Sequence, residues 1–247
     1  MEKLLVAAQQ LGLPVKPEHL PLFERYYREL VAWNQRFNLT AVTDYEQVQV
    51  RHFADSLTCL LASPGLLAAV KAGKRLRLAD VGSGAGFPGL PIKIVWPQAE
   101  LALIESMAKR CAFLEHVAQV LGLKGVRVLN MRAEEVGRLP EEREQYDVVM
   151  ARAVADLPVL AEYLLPLVRL QGLAIAQKGE GVEEEVVRAE RAIEILGGNV
   201  EKVLRVDVPG TALPRSLVVM RKVALTPARY PRRVGVPARR PLAVGKA

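Results

Sequence analysis

The 247-residue chain holds two cysteines and three histidines, too few of either to organise it. Cys59 and Cys111 stand 52 positions apart in helical-looking segments and form no CxxC pair or disulfide framework. The histidines are scattered, so no metal site is expected. No apolar run approaches the ~18–20 residues of a membrane span, and charges crowd the apolar stretch of Met1 to Leu13 too closely for a secretory leader. A cytoplasmic protein without a membrane partner is therefore expected. At 51% hydrophobic and 25% charged residues, the composition also excludes disorder as the dominant state. The last absence is local: from Arg221 to Ala247 there are eight basic residues and no acidic one. Residues 1–220 carry 26 basic and 27 acidic side chains, so the net charge of +7 belongs to the tail. Such a segment suits a polyanion, nucleic acid before anionic membrane, with a solvated, disordered tail as the plain alternative.

The first 70 residues read as helices. Leu4, Leu5, Ala8 and Leu11 share one face, and Pro17 opens a second helix through Leu22, Tyr26, Leu30 and Trp33. After the non-helical Asn38-Leu39-Thr40, a Thr43/Glu46 capping box is expected to start a third helix. From Arg75 short strand-like runs take over: Leu76–Val81, Leu101–Glu105, Val126–Leu129, Tyr146–Ala151, Leu173–Gln177, Val200–Val208 and Ser216–Lys222. Helices are expected over Pro88–Trp96, Met107–Leu121, Asp156–Leu170 and Val182–Leu196, with only a short one near Glu141. Alternation of apolar strands with helices predicts a parallel sheet covered on both faces. The link Pro209–Arg215 is too short for a parallel crossover, so the final strand is expected to be reversed.

The first strand runs into Asp80-Val81-Gly82-Ser83-Gly84-Ala85-Gly86-Phe87-Pro88-Gly89. A glycine turn at the carboxyl end of a parallel strand lets backbone N–H groups approach a ligand. Glu105 ends the second strand, where a carboxylate can accept both hydroxyls of a ribose. The dinucleotide fingerprint G-x-G-x-x-G requires a tiny residue where this chain has Phe87. Glycines at 82, 84 and 86 after Asp80 instead form the G-x-G-x-G pattern associated with methyl donors.

These residues and their surroundings resemble the RsmG (GidB) family of bacterial small-subunit rRNA guanine-N7 methyltransferases. The matching stretches are Asn38-Leu39-Thr40-Ala41, His52-Phe53-Ala54-Asp55-Ser56-Leu57, the glycine loop through Gly89 and Glu105-Ser106-Met107-Ala108-Lys109-Arg110. They continue with Ala151-Arg152-Ala153, Lys178-Gly179 and Tyr230-Pro231-Arg232-Arg233-Val234-Gly235. The match spans nearly the whole chain; Ala54 departs from the bulkier apolar residue expected there. The resemblance implies a class I S-adenosylmethionine-dependent methyltransferase fold, Rossmann-like, with a seven-stranded mostly parallel sheet whose last strand is antiparallel. It also implies three parts: a helical appendage over 1–70, the cofactor domain over 71–222 and a basic RNA-contacting tail over 223–247.

By the same resemblance the cofactor is S-adenosylmethionine, leaving S-adenosylhomocysteine, with no metal. Gly82, Gly84 and Phe87 line its methionine end, Glu105 holds the ribose beside Ser106 and Met107, and Ala133 and Glu134 match the adenine-binding turn. Arg152 faces the meeting point of cofactor and base, and Arg152, Lys109 and Lys178 are the catalytic candidates. RNA contacts are expected from Lys109, Arg110, His52, Arg232 and Arg233. The partner implied is 16S rRNA in the small ribosomal subunit, at guanine 527 of the 530 loop, with the enzyme acting as a monomer.

The chemistry fits by elimination. Methylating pyrimidine C5 needs a cysteine nucleophile near strands four or five, and both cysteines read as helical core. Exocyclic-amine methylation usually shows an (Asp/Asn)-Pro-Pro-aromatic signature, where this chain has Ala151-Arg152-Ala153. Guanine N7 already offers a lone pair and needs no general base, so alignment suffices. Two rivals stay open: an RNA-binding or ribosome-assembly protein that keeps the fold without the chemistry, and a methyltransferase of another RNA or of a small molecule. The Tyr-Pro and Gly-x-Pro context of the tail predicts an ordered strip over the body. Removing residues 229–247 is expected to weaken RNA binding while sparing the cofactor.

Overall fold

The structure, a computed structural model, describes residues 1–152, 155–179 and 181–242. Ala153 of the motif above and Lys246 of the tail lie outside the described residues. Seven strands form one sheet: β1 Arg77–Val81, β2 Glu100–Ile104, β3 Val126–Leu129, β4 Tyr146–Arg152, β5 Val168–Lys178, β6 Gly198–Val206 and β7 Arg215–Lys222. Their spatial order is β3-β2-β1-β4-β5-β7-β6. β1 to β5 pair in parallel, and β7 runs antiparallel to both β5 and β6. The chain works outward from β1 and then returns to β4. Their carboxyl ends therefore flank the crevice where ligands bind in such sheets.

The reversed strand is the last in sequence, as expected, but not the last in space. Leu217 to Met220 of β7 are fully buried, so that strand takes an interior place. β6 alternates exposed and shielded residues, including Glu201 and Arg205, and forms the polar edge. Strand periodicity also gathers the alanines of β1 to β5 on one face. Leu78, Leu101, Leu103, Val148, Met150, Leu173 and Ile175 belong to one core layer; Ala79, Ala102, Ala151, Ala174 and Ala176 belong to the other. Helices Leu157–Leu164 and Glu183–Ile195 pack on the alanine-rich face.

On the bulky face, the helices Gly89–Val95 and Ala108–Val120 are joined by everything before β1: Glu2–Gln10, Leu20–Phe37, the helical stretch Tyr45–Ala62 and Pro64–Lys71. Leu4, Phe23, Tyr26 and Leu30 share one continuous core with Leu90, Phe113 and Leu217. Thr58–Ala62 contacts β5 and β7. Among the described residues no single helix is long and apolar enough to cross a membrane.

Three local expectations are corrected. Asp44, not Thr43, caps the third helical segment, its carboxylate accepting from the N–H groups of Glu46 (3.1 Å) and Gln47 (2.9 Å). The helix expected over Asp156–Leu170 ends at Leu164, because Pro166 has no N–H to continue the ladder and β5 begins at Val168. The short helix expected near Glu141 lies earlier, over Ala133–Val136, and Glu141 sits in a turn.

Candidate active site

The glycine loop leaves β1 with Gly82, Gly84 and Gly86 at φ of 70°, 57° and 93°, conformations that side chains with a β-carbon rarely adopt. The N–H groups of Gly82 and Ser83 donate to the Ile104 carbonyl (2.8 and 3.2 Å), tying the loop to the end of β2. At Gly86 a β-carbon would come within 2.5 Å of the Tyr26 hydroxyl, which itself donates to the Ala85 carbonyl. Gly89 supplies the close helix–strand approach: a β-carbon there would stand 2.9 Å from both the Asp80 carboxylate and Leu103. That shift of the small residue frees the Phe87 position for other work.

Asp80 is fully buried, and one carboxylate oxygen accepts the Gly89 N–H at 2.9 Å. The other is the one buried side-chain polar atom without a partner among the described residues. Burial pushes the Asp80 carboxyl up to about 7. Glu105, also buried, spans the loop: its oxygens accept from the N–H groups of Gly84 (3.0 Å) and Met107 (2.9 Å), and Arg110 lies 3.6 Å away.

Around these residues opens a cleft of about 510 Å³, bounded by the glycine loop, the 105–107 turn, Met131–Glu134, Tyr163, Thr40, His52 and Arg152. Arg152 ends β4 and donates to the Asp55 carboxylate (3.0 Å) and the Arg51 carbonyl (3.2 Å). Its guanidinium lies 4.9 Å from the centre of the Phe87 ring, which also stacks with His52 at 4.5 Å. His52 meets the Thr40 hydroxyl at 2.9 Å through Nε2. Burial, with the Arg152 charge adding to it, drives its imidazole down to about 3.

Asp55 is nearly inaccessible, and its carboxylate also accepts from Arg215 (2.9 Å) and Gln177 (3.1 Å). One anion from the N-terminal helices thus gathers the ends of β4 and β5 and the start of β7. Beside it lies a second cavity of about 400 Å³, lined by Arg51, Lys178 and Arg215 among others and sharing His52 and Arg152 with the first.

Residues 19–212, more than half of the chain, match the family model described as rRNA small subunit methyltransferase G. The chain belongs to this family. Relatives named ribosomal RNA small subunit methyltransferase G include those of Roseiflexus sp. (strain RS-1), 53% identical over 98% of this chain and 100% of that one, and of Dehalococcoides mccartyi (strain CBDB1), 44% identical with the same coverage. Among solved structures, a tryptophan-to-alanine variant of the 16S rRNA (adenine(1408)-N(1))-methyltransferase of Catenulisporales acidiphilia superposes with a TM-score of 0.52 at 16% identity, covering 66% of this chain and 92% of that one. That likeness concerns the fold.

Within this methyltransferase G scaffold, Gly82, Gly84, Phe87, Glu105, Ser106, Met107, Ala133, Glu134 and Arg152 all line the larger cleft, joined by His52 and Arg110. The remaining candidates lie elsewhere. Lys109 is exposed 5.8 Å from the Phe37 ring, because one helical step turns it about 100° away from Arg110. Lys178 borders the second cavity with its ammonium held by Glu185 (2.7 Å) and the Ala155 carbonyl (2.8 Å). With burial driving its imidazole down, His52 is expected to offer no charge to a phosphate. Arg232 is clasped by buried Glu162, whereas exposed Arg233 has no carboxylate partner among the described residues. Sequence reasoning missed Tyr163, Arg51, Gln177 and Arg215. For Arg215 a signal existed: reversing the last strand puts its first residue at the carboxyl ends of the parallel strands.

Proposed function

We propose that the protein transfers a methyl group from S-adenosylmethionine to N7 of one guanine in 16S rRNA, guanine 527 of the 530 loop, by direct displacement without a covalent enzyme intermediate. The carrying observation is the pair of adjoining cavities that meet at His52 and Arg152. Two compartments with a shared wall suit a donor and an acceptor brought to one point. The donor cleft fits the cofactor by its polar groups. The glycine loop offers close backbone approach, Glu105 a fixed carboxylate for a ribose, and Ala133–Glu134 with Tyr163 a wall for an adenine. When bound, the cofactor supplies an electrophilic methyl group.

The chain's own task is alignment and exclusion of water. Arg152, held by Asp55 and the Phe87 ring, is the donor best placed at the junction to hold a guanine oxygen. Arg51 and Arg215 give the acceptor cavity a positive lining suited to the phosphates that flank a base. No proton has to be removed from N7, which agrees with a neutral His52 and with cavities whose linings contain no cysteine. Both cysteines are buried and their thiols are pushed up by burial. The substrate is read as RNA of the small subunit in the cytoplasm, and the enzyme as a monomer.

Intact Asp80 and Glu105 argue against a fold that has lost its chemistry. Gly82→Asp tests the reading: a carboxylate at the loop should abolish cofactor binding by titration calorimetry and methyl incorporation into rRNA. Undiminished affinity would mean that the loop does not face the cofactor.

A further inference from the structure

The C-terminal strip packs on the wall of the donor cleft. Arg143 reaches it through the carbonyls of Tyr230 (2.7 Å) and Thr226 (2.6 Å), and Tyr230 is buried in the alanine-face core. Pro231 lies against Gly137, immediately after the short helix that carries Ala133 and Glu134. Arg232 then grips Glu162 from both sides: its N–H and Nε donate to one oxygen (2.7 and 2.9 Å) and a terminal nitrogen donates to the other (2.6 Å). Glu162 is completely buried, and its neighbour Tyr163 lines the cleft. Three residues on, the Gly235 N–H donates to Glu134 at 2.9 Å, and Glu134 lines the cleft itself.

We infer that Arg232 and Gly235 are positioning residues for the cofactor: through Glu162 and Glu134 the strip sets the wall against which the adenine end rests. The inference builds on the donor-cleft reading above. Glu134 and Tyr163 stand on different elements, a short turn of helix after β3 and the helix Leu157–Leu164. The strip holds Glu134 directly and Tyr163 through its neighbour Glu162. A four-residue helix has little stability of its own, so its geometry depends on what braces it. Removing the strip is therefore expected to loosen the donor cleft as well as reduce RNA contact, which revises the expectation that residues 229–247 are dispensable for the cofactor.

The test uses the full chain and its Glu162→Gln/Arg232→Gln variant, which removes the grip without leaving a buried charge unpaired. Calorimetry with S-adenosylmethionine and with methylthioadenosine, which lacks the methionine end, reads the two ends of the cleft. The inference predicts that both ligands bind about tenfold more weakly to the variant, within the ordinary range of coupling between neighbouring elements. The KM for the cofactor should rise by a larger factor than kcat falls. Gly235→Ala provides a second, milder perturbation should the double variant fail to fold. At φ of 75° its β-carbon strains the backbone but meets nothing closer than 3.8 Å, and a several-fold loss for both ligands is expected. Unchanged affinity in a folded variant, or a loss confined to S-adenosylmethionine, would overturn the inference. Absence of binding to the unmodified chain would instead overturn the donor-cleft reading.

Discussion

Asp55→Asn is the most informative single substitution, because one buried carboxylate in the second cavity holds Arg152 at the junction of the two. Its side chain is only 2% exposed and accepts from Arg152, Arg215 and Gln177. An amide of the same shape loses the charge and must turn an N–H₂ group towards one of the donors. Breaking a buried ion pair typically costs about 3–5 kcal/mol. Here the two guanidiniums keep 17% and 25% side-chain exposure, so water recovers part of that, and about 3 kcal/mol is expected. For a domain of this size that lowers Tm by about 6–12 °C. Asp55 does not line the donor cleft, so cofactor affinity should stay within about twofold, whereas kcat should fall about 10–100-fold as Arg152 loses its orientation. Thermal melts, calorimetry and single-turnover methylation measure the three quantities. A loss below about 1 kcal/mol with kcat unchanged would refute the reasoning that this anion holds the junction together.

Two further predictions concern charge. His52 is expected to remain neutral in the folded protein, its ring resonances constant by NMR between pH 8 and 5. Between its unfolded value of 6.5 and its folded value of about 3 only the unfolded chain takes that proton, so this group's contribution falls as pH falls through that window, by up to about 1.4 kcal/mol per pH unit. Asp80 acts in the opposite sense: with its folded value raised to about 7, its contribution is present at low pH and lost as pH rises through 7. Acidifying His52→Gln should therefore destabilise it less than wild type, and parallel stability curves would contradict the assignment. Exposed Arg233 and Arg240 should bind phosphate, so replacing both with alanine should lower the salt dependence of RNA binding by about 1–2 in log–log slope; an unchanged slope would remove them from the interface.

Which residues share the larger cleft was largely legible because most of them are local to the strand ends. A glycine turn, the carboxylate ending the next strand and the turn after β3 are each set by a few adjacent residues and by strand direction. Phe87 was legible as an exclusion, since the dinucleotide fingerprint places a tiny residue there. Its actual task, a ring for His52 and Arg152 to rest on, depends on residues 35 positions before it and 65 after it. His52 and Asp55 could be read as closing the site from the helices, but the same distance hid the partners of Asp55 on three strands. Lys109 and Arg110 were indistinguishable as adjacent cations until a helix axis decided which faces the cleft. The helix expected to continue to Leu170 stops at Leu164 because Pro166 cannot donate to the helical ladder and the apolar run from Val168 enters the sheet. The packing of the tail through residue 242 was foreshadowed by its prolines. Its grip on Glu162 and Glu134 was not, because nothing in the order of residues shows that a strip rich in arginine is held by two carboxylates beneath it.

Methyl transfer to N7 of one guanine can be read directly in the RNA. Small subunits and naked 16S rRNA lacking the modification, incubated with the protein and labelled S-adenosylmethionine, can be cleaved chemically at 7-methylguanine and the break mapped by primer extension. Label in the RNA and one cleavage, at guanine 527 of the 530 loop, are expected. No transfer to RNA, or label on another base without cleavage there, would contradict the proposed reaction.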